Sequence, residues 1–184
     1  MLPSAANRTT QLQRAFTLLD LLAVLVIIAV LAGIVVGAGH HANEMGRVAR
    51  ARAELAVLSA ALENYQRAYG DYPQTDAEAQ LLQSLIGKRD PLNTVIAARG
   101  LIEAARFSTA ESRDPFTDST AVLTDPWGQP YVYIYKVPAS GWNNPGFVLY
   151  SIGPDATDSP TLLPGGFVDP SPPENTDNIY ANRD

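Results

Sequence analysis

RAFTLLDLLAVLVIIAVLAGIVVG, residues 14–37, sets one carboxylate, Asp20, at the front of an otherwise unbroken apolar run. From Leu21 to Gly39, 19 residues pass without a charge. That is long enough to cross a bilayer as a helix. An ordinary secretory signal has an apolar core of about 7–15 residues and then a small-residue cleavage site. The run here is longer, although the small residues of GAGHHA (37–42) mimic such a site. A plain membrane anchor explains the length and leaves Asp20 without a reason. A third reading must explain both.

Composition narrows the choice. Only Pro3 precedes Tyr72, and the other 13 prolines follow it. A Pro-free first third can form one long helix, because nothing removes a backbone donor or clashes with the preceding turn. The remainder must be turns, strands and short helices. The net charge of −6 argues against a nucleic-acid partner. There is no cysteine, so no disulfide staples the fold. His40 and His41 are adjacent and read as a polar step where the chain leaves the membrane. No nucleophile is paired with a histidine in a recognisable motif, and no glycine-rich phosphate loop is present. The chain is expected to be no enzyme and to carry no organic cofactor.

The stretch 14–37 closely resembles the N-terminus of type IV pilins and type II secretion pseudopilins. In that superfamily a basic leader ends in a small residue followed by Phe, and an acid stands five residues into the mature chain. A prepilin peptidase cuts there and methylates the new N-terminus. The resemblance implies a leader over 1–15, cleavage between Ala15 and Phe16, and N-methylation of Phe16. It makes Phe16 and Asp20 the assembly residues. The family pattern has Gly where this chain has Ala15 and Glu where it has Asp20. The physics suits an assembly role. A carboxylate near a helix start favours the positive end of the macrodipole. In a dry filament core an unpaired carboxylate costs several kcal/mol, of order the penalty for any buried unpaired charge. The free amine of Phe16 on a neighbouring copy would neutralise it and fix axial register, as a buried polar residue does in a coiled coil.

The helix should run on beyond the assembly segment 16–39. Val48, Ala51, Leu55, Leu58, Leu62, Tyr65 and Tyr69 recur at spacings of three and four, widened by Ala61 and Ala68. This predicts an amphipathic stem over 40–70, stopped by Gly70. From Phe16 to Tyr69 the helix would be about 80 Å long at 1.5 Å per residue. Gly33, Gly37 and Gly39 each cost about 1 kcal/mol relative to Ala. Local melting during assembly and close helix–helix packing both account for them. Arg47, Arg50 and Arg52 read either as a solvated face or as partners for acids on neighbouring copies.

A head follows over 71–184. In YGDYPQTDAEAQLLQSLIG (69–87), Thr75 or Asp76 would cap a short helix that Gly87 ends. Residues 88–123 form a variable region, in which 93–107 is read as holding a short helix. DPWGQPYVYIYKV (125–137) and GFVLYSIGPD (146–155) give a turn and two strands. They predict an antiparallel hairpin over 130–152. These two pieces also resemble the major pseudopilin, which carries a DPWG-x-P-Y turn and a strand ending in LYS-x-G-x-D. The tail 155–184 reads as flexible coil by composition. The resemblance implies instead a calcium loop over 153–180. Its ligands would be Asp155, Asp177, Asn178 and the backbone carbonyl of Ile152, with Asp158 as a stand-in for the charge missing at Asn178. Calcium accepts such mixed oxygen ligands.

The expected fold is α+β and pilin-like: a long N-terminal helix with an apolar first half, packed on a small antiparallel head with a C-terminal loop. The expected function is a pseudopilin subunit of type II secretion that polymerises into a helical homo-oligomer. Its partners would be the prepilin peptidase, the inner-membrane assembly platform and minor pseudopilins. It would cross the inner membrane once, with a cytoplasmic N-terminus and a periplasmic head, before joining a periplasmic filament. Two alternatives stay open. One is a type IV pilin or minor pilin for adhesion, motility or DNA uptake. The other is a membrane-tethered binding module that never polymerises.

Overall fold

The long Pro-free stretch is one continuous helix, α1, over Leu18–Tyr69 in the computed structural model. That structure describes residues 18–138 and 141–181, without the side chains of 34–41. The expected cleavage residues Ala15 and Phe16 lie outside the described residues. The chain divides into two compact units, 1–43 and 44–184. In the first, every residue from 18 to 33 is exposed. Leu18 is 82% exposed and Leu31 still 56%, so no face of this segment is covered by the described residues. Among the described residues no helix is long and apolar enough to cross a membrane. The side chains of 34–41, the rest of the apolar run, are not among them.

In the second unit the middle of the stem stripe is buried as its spacing predicts, while Val48 and Tyr69 at its ends are half-buried. Ala51, Leu55, Leu58, Ala61, Leu62 and Tyr65 are at most 3% exposed. Each large member contributes about 1.5–3 kcal/mol by leaving water. Ala68, expected in the stripe, is exposed instead. It lies in the last turn of α1, where the helix leaves the core. The helix ends at Gly70, whose φ of +84° favours glycine and whose amide bonds the Gln66 carbonyl.

Helix α2 spans Glu78–Leu85 and starts later than expected. Thr75 does not cap it. Its hydroxyl accepts from the Ala77 amide and donates to Gln80, which shapes the turn ahead of the helix. Gly87 does end it, at φ +83°, and a Cβ there would lie 2.4 Å from the Ala98 carbonyl oxygen. That close approach also explains why 93–107 holds no α-helix. The amides of Ile96, Ala98 and Leu101 bond the carbonyls of Lys88, Gly87 and Leu85. The segment is drawn out along the end of α2, and a single 3-10 turn at Ala104–Arg106 is all the helix it holds. Strands β1 (Ser108–Thr109) and β2 (Leu123–Thr124) then pair antiparallel.

The predicted hairpin forms. β3 (Val132–Ile134) pairs antiparallel with β4 (Val148–Ser151), Tyr133 opposite Leu149. Alternation puts Tyr131, Tyr133 and Tyr135 on the core side. Their hydroxyls donate to Glu54, the Pro73 carbonyl and Asp71 respectively, so each buried phenol is satisfied. The tail is not coil. It forms a small hairpin, β5 (Leu162–Leu163) with β6 (Phe167–Val168). It then returns as β7 (Ile179–Tyr180), antiparallel to β4. The sheet order β3-β4-β7 makes β4 central, and all four of its residues are buried. The α+β architecture is thus the one the sequence implies.

Candidate assembly and cation sites

Asp20 stands in the first turn of α1 and is exposed. Around it Leu18, Leu19, Leu21, Leu22, Val24 and Leu25 are 47–82% exposed. A helix apolar all round is stable when lipid or neighbouring helices cover it. A carboxylate one turn inside such a surface is costly if it is buried without a partner when that surface is covered. The three arginines of the upper stem divide. Arg47 meets Glu44 at 3.4 Å, Arg50 meets Glu54 at 2.7 Å and reaches Ser108, and Arg52 lines a groove of about 600 Å³ with Asp177 and Asn178.

Glu54 is a residue that the stripe reading passed over. It is 8% exposed and takes both the Arg50 guanidinium and the Tyr131 hydroxyl, the latter at 2.6 Å. Burial and then the Glu54 hydrogen bond push the Tyr131 phenol far above its ordinary value. The available signal was the i, i+4 pair of Arg50 and Glu54.

The two head motifs meet at one buried carboxylate. Asp125 is 2% exposed. One oxygen accepts the amides of Trp127 and Gln129 and closes the DPWG turn. The other accepts the Ser151 hydroxyl at 2.6 Å, and Ser151 in turn accepts the Gly153 amide. The Trp127 indole donates to Glu44 on the stem. The motif residues therefore join the turn, the end of β4 and the helix, which is a structural role.

The C-terminal loop brings the expected ligands together in two pairs. Asp177 Oδ2 lies 3.2 Å from the Asp155 amide. Gly153, at φ +77°, lets the chain pass so close that a Cβ would sit 2.7 Å from that same oxygen. Ile152 directly precedes this glycine. The Asp155 carboxylate accepts the Thr157 amide and hydroxyl, which hold it below its ordinary pKa and ionised. In the second pair Asn178 Nδ2 donates to Asp158 Oδ1 at 3.0 Å. Asp158 Oδ2 accepts the Tyr150 hydroxyl at 2.8 Å. Asn178 Oδ1 is buried and has no hydrogen-bond partner. An orphaned buried oxygen costs about 1–3 kcal/mol, and a cation relieves that cost. Among the described residues no three acidic, His or Cys side chains gather as a metal site. The expected ligands, the Asp155 and Asp177 carboxylates, Asn178 Oδ1 and the Ile152 carbonyl, are oxygens of the kind that a hard cation such as calcium accepts. Asn175, unnoticed in the sequence, holds the loop around this set. It is 6% exposed and binds the Ser159 amide, the Ser159 carbonyl and the Asp169 carbonyl.

The chain is similar in sequence to proteins of one secretion system. The family described as type II secretion system (T2SS), protein G matches residues 40–161. The type II secretion system core protein G of Pseudomonas aeruginosa is 29% identical over 144 residues, covering 78% of this chain and 84% of that protein. The protein of the same name from Escherichia coli K12 is 32% identical over 154 residues, covering 80% and 86%. No solved structure matches the chain.

Proposed function

Since the chain belongs to the type II secretion system protein G family, we propose that it is a pseudopilin that builds the filament of this secretion machinery through its N-terminal helix. The observation that carries this reading is the segment 18–33 of α1, apolar and exposed on every side with Asp20 in its first turn. Before assembly, lipid covers that surface, and the protein is a single-pass subunit of the inner membrane with a periplasmic head. The prepilin peptidase cuts between Ala15 and Phe16 and methylates Phe16. In the filament, neighbouring helices replace lipid. The Phe16 amine of one copy then neutralises Asp20 of the next and sets the axial step. The assembly platform and minor pseudopilins are its partners. The role is structural: the buried carboxylates Glu54 and Asp125 spend their hydrogen bonds on tying elements together.

Calcium completes the reading. Asp155, Asp177, Asn178 Oδ1 and the Ile152 carbonyl would hold it. Bound there, the ion supplies positive charge that joins residues 22 apart in a chain without disulfides. Its binding free energy adds to the stability of the head.

The test of assembly is Asp20→Ala, with filaments sheared from cells and counted by electron microscopy. The variant is expected in the membrane at normal level but without filaments. Normal export from Asp20→Ala without filaments would favour a tethered module that works singly, and normal filaments in the variant would contradict the assembly role of Asp20.

A further inference from the structure

We propose that Asp158 and Asn175 are positioning residues that fix the Asn178 amide so that its carbonyl oxygen serves the cation. This inference rests on the calcium reading above. An Asn side chain has one end that donates and one that accepts. At Asn178 the donating end has three oxygens around it: Asp158 Oδ1 at 3.0 Å, Asn175 Oδ1 at 3.3 Å and the Tyr180 hydroxyl at 3.4 Å. Turning the amide over would set its oxygen against a carboxylate and an amide oxygen. The surroundings therefore permit one orientation, and it leaves Oδ1 buried and free to bind an ion.

The bracing groups are themselves held. The Tyr150 hydroxyl, from β4, fixes Asp158 at 2.8 Å. Asn175 is locked to Ser159 and Asp169 on the two sides of the β5–β6 hairpin. The brace thus joins β4 to the return of the tail, with Tyr150 and Asp158 on one side and Asn175 and Asn178 on the other. The chemistry accounts for the neutral residue at 178. A carboxylate there would face Asp158 at hydrogen-bond distance, and two like charges that close repel. An amide keeps an oxygen for the cation and turns the Asp158 charge into an acceptor. Asp158 then acts through Asn178 and is not a ligand.

The experiment is calcium affinity of the detergent-solubilised full chain, measured by competition with a fluorescent chelator. Wild type, Asp158→Ala and Asp158→Asn are compared, with melting midpoints taken in chelator. Loss of an outer support typically weakens metal binding 10–100-fold. Asp158→Ala is expected to fall in that range, and Asp158→Asn, which keeps an acceptor for the Asn178 amide, to stay within about 3-fold of wild type, a small part of that loss. Equal losses in both variants would make the Asp158 charge itself a ligand and overturn the positioning role. Unchanged affinity in Asp158→Ala, whatever its melting midpoint, would overturn it too. Should Asp158→Ala fail to fold, Asn178→Ala removes the oxygen directly, and wild-type affinity there contradicts the proposal. A wild-type chain that binds no calcium removes the calcium reading and this inference together, and leaves filament assembly standing.

Discussion

Asp71 shows how a single side chain ties the stem to the sheet. It follows Gly70 at the end of α1 and accepts from Lys136 at 2.7 Å, Tyr135 at 2.6 Å, Gln74 at 3.0 Å and the Tyr72 amide. Burial raises its pKa, but the hydrogen bonds outweigh burial and the net shift is downward. A depressed carboxyl pKa stabilises the fold above the unfolded value, about 3.9, and the benefit is lost as pH falls through the lower folded value. Asp71→Asn should therefore lower the melting midpoint at pH 7 and flatten its decline below about pH 4, where the carboxyl otherwise takes up its proton. Parallel melting curves against pH for variant and wild type would contradict this. The neighbouring Tyr72 hydroxyl is buried and donates to Glu63, and its pKa is pushed up to about 12. It stays protonated throughout this range.

At the scale of elements, the DPWG turn, β4 and the stem share one joint, Asp125. Asp125→Ala would strand the amides of Trp127 and Gln129 and the hydroxyl of Ser151. These three donors, one buried and two part-buried, cost about 2–4 kcal/mol together when left without acceptors. Denaturant unfolding should show that loss, and Asp125→Asn should recover part of it by keeping one acceptor. No difference between the two variants would mean that the joint is not what holds the turn. The stem and the hairpin were legible in the sequence because period is a physical signal. Leu55, Leu58 and Leu62 repeat with the helix, and Tyr131, Tyr133 and Tyr135 with the strand. Glu54 was not legible, because a carboxylate beside the stripe looks like surface until Tyr131 is known to reach it. Residues 93–107 have helix-forming composition, yet their amides go to the carbonyls that end α2. Strand β7 has only two residues and no period to read. Its place is set by the free edge of β4. In the tail, Asp155 and Asp177 could be picked from the motif, while Asn175 is visible only once the β5–β6 hairpin has formed.

For the whole molecule, an acidic chain carries an apolar helical segment, 18–33, that no described residue covers. The exposure of residues 18–33 is the requirement that lipid, and then sister subunits, must meet. Removing the leader would take Arg8 and Arg14 and no acid, and it would free an amine four residues before Asp20. In the proposed route, processing would create the charge that assembly uses. Intact mass and N-terminal sequencing of the protein extracted from membranes measures this step directly. The account predicts a mature chain that begins at N-methylated Phe16. A chain that still begins at Met1 in cells with assembled filaments would contradict it.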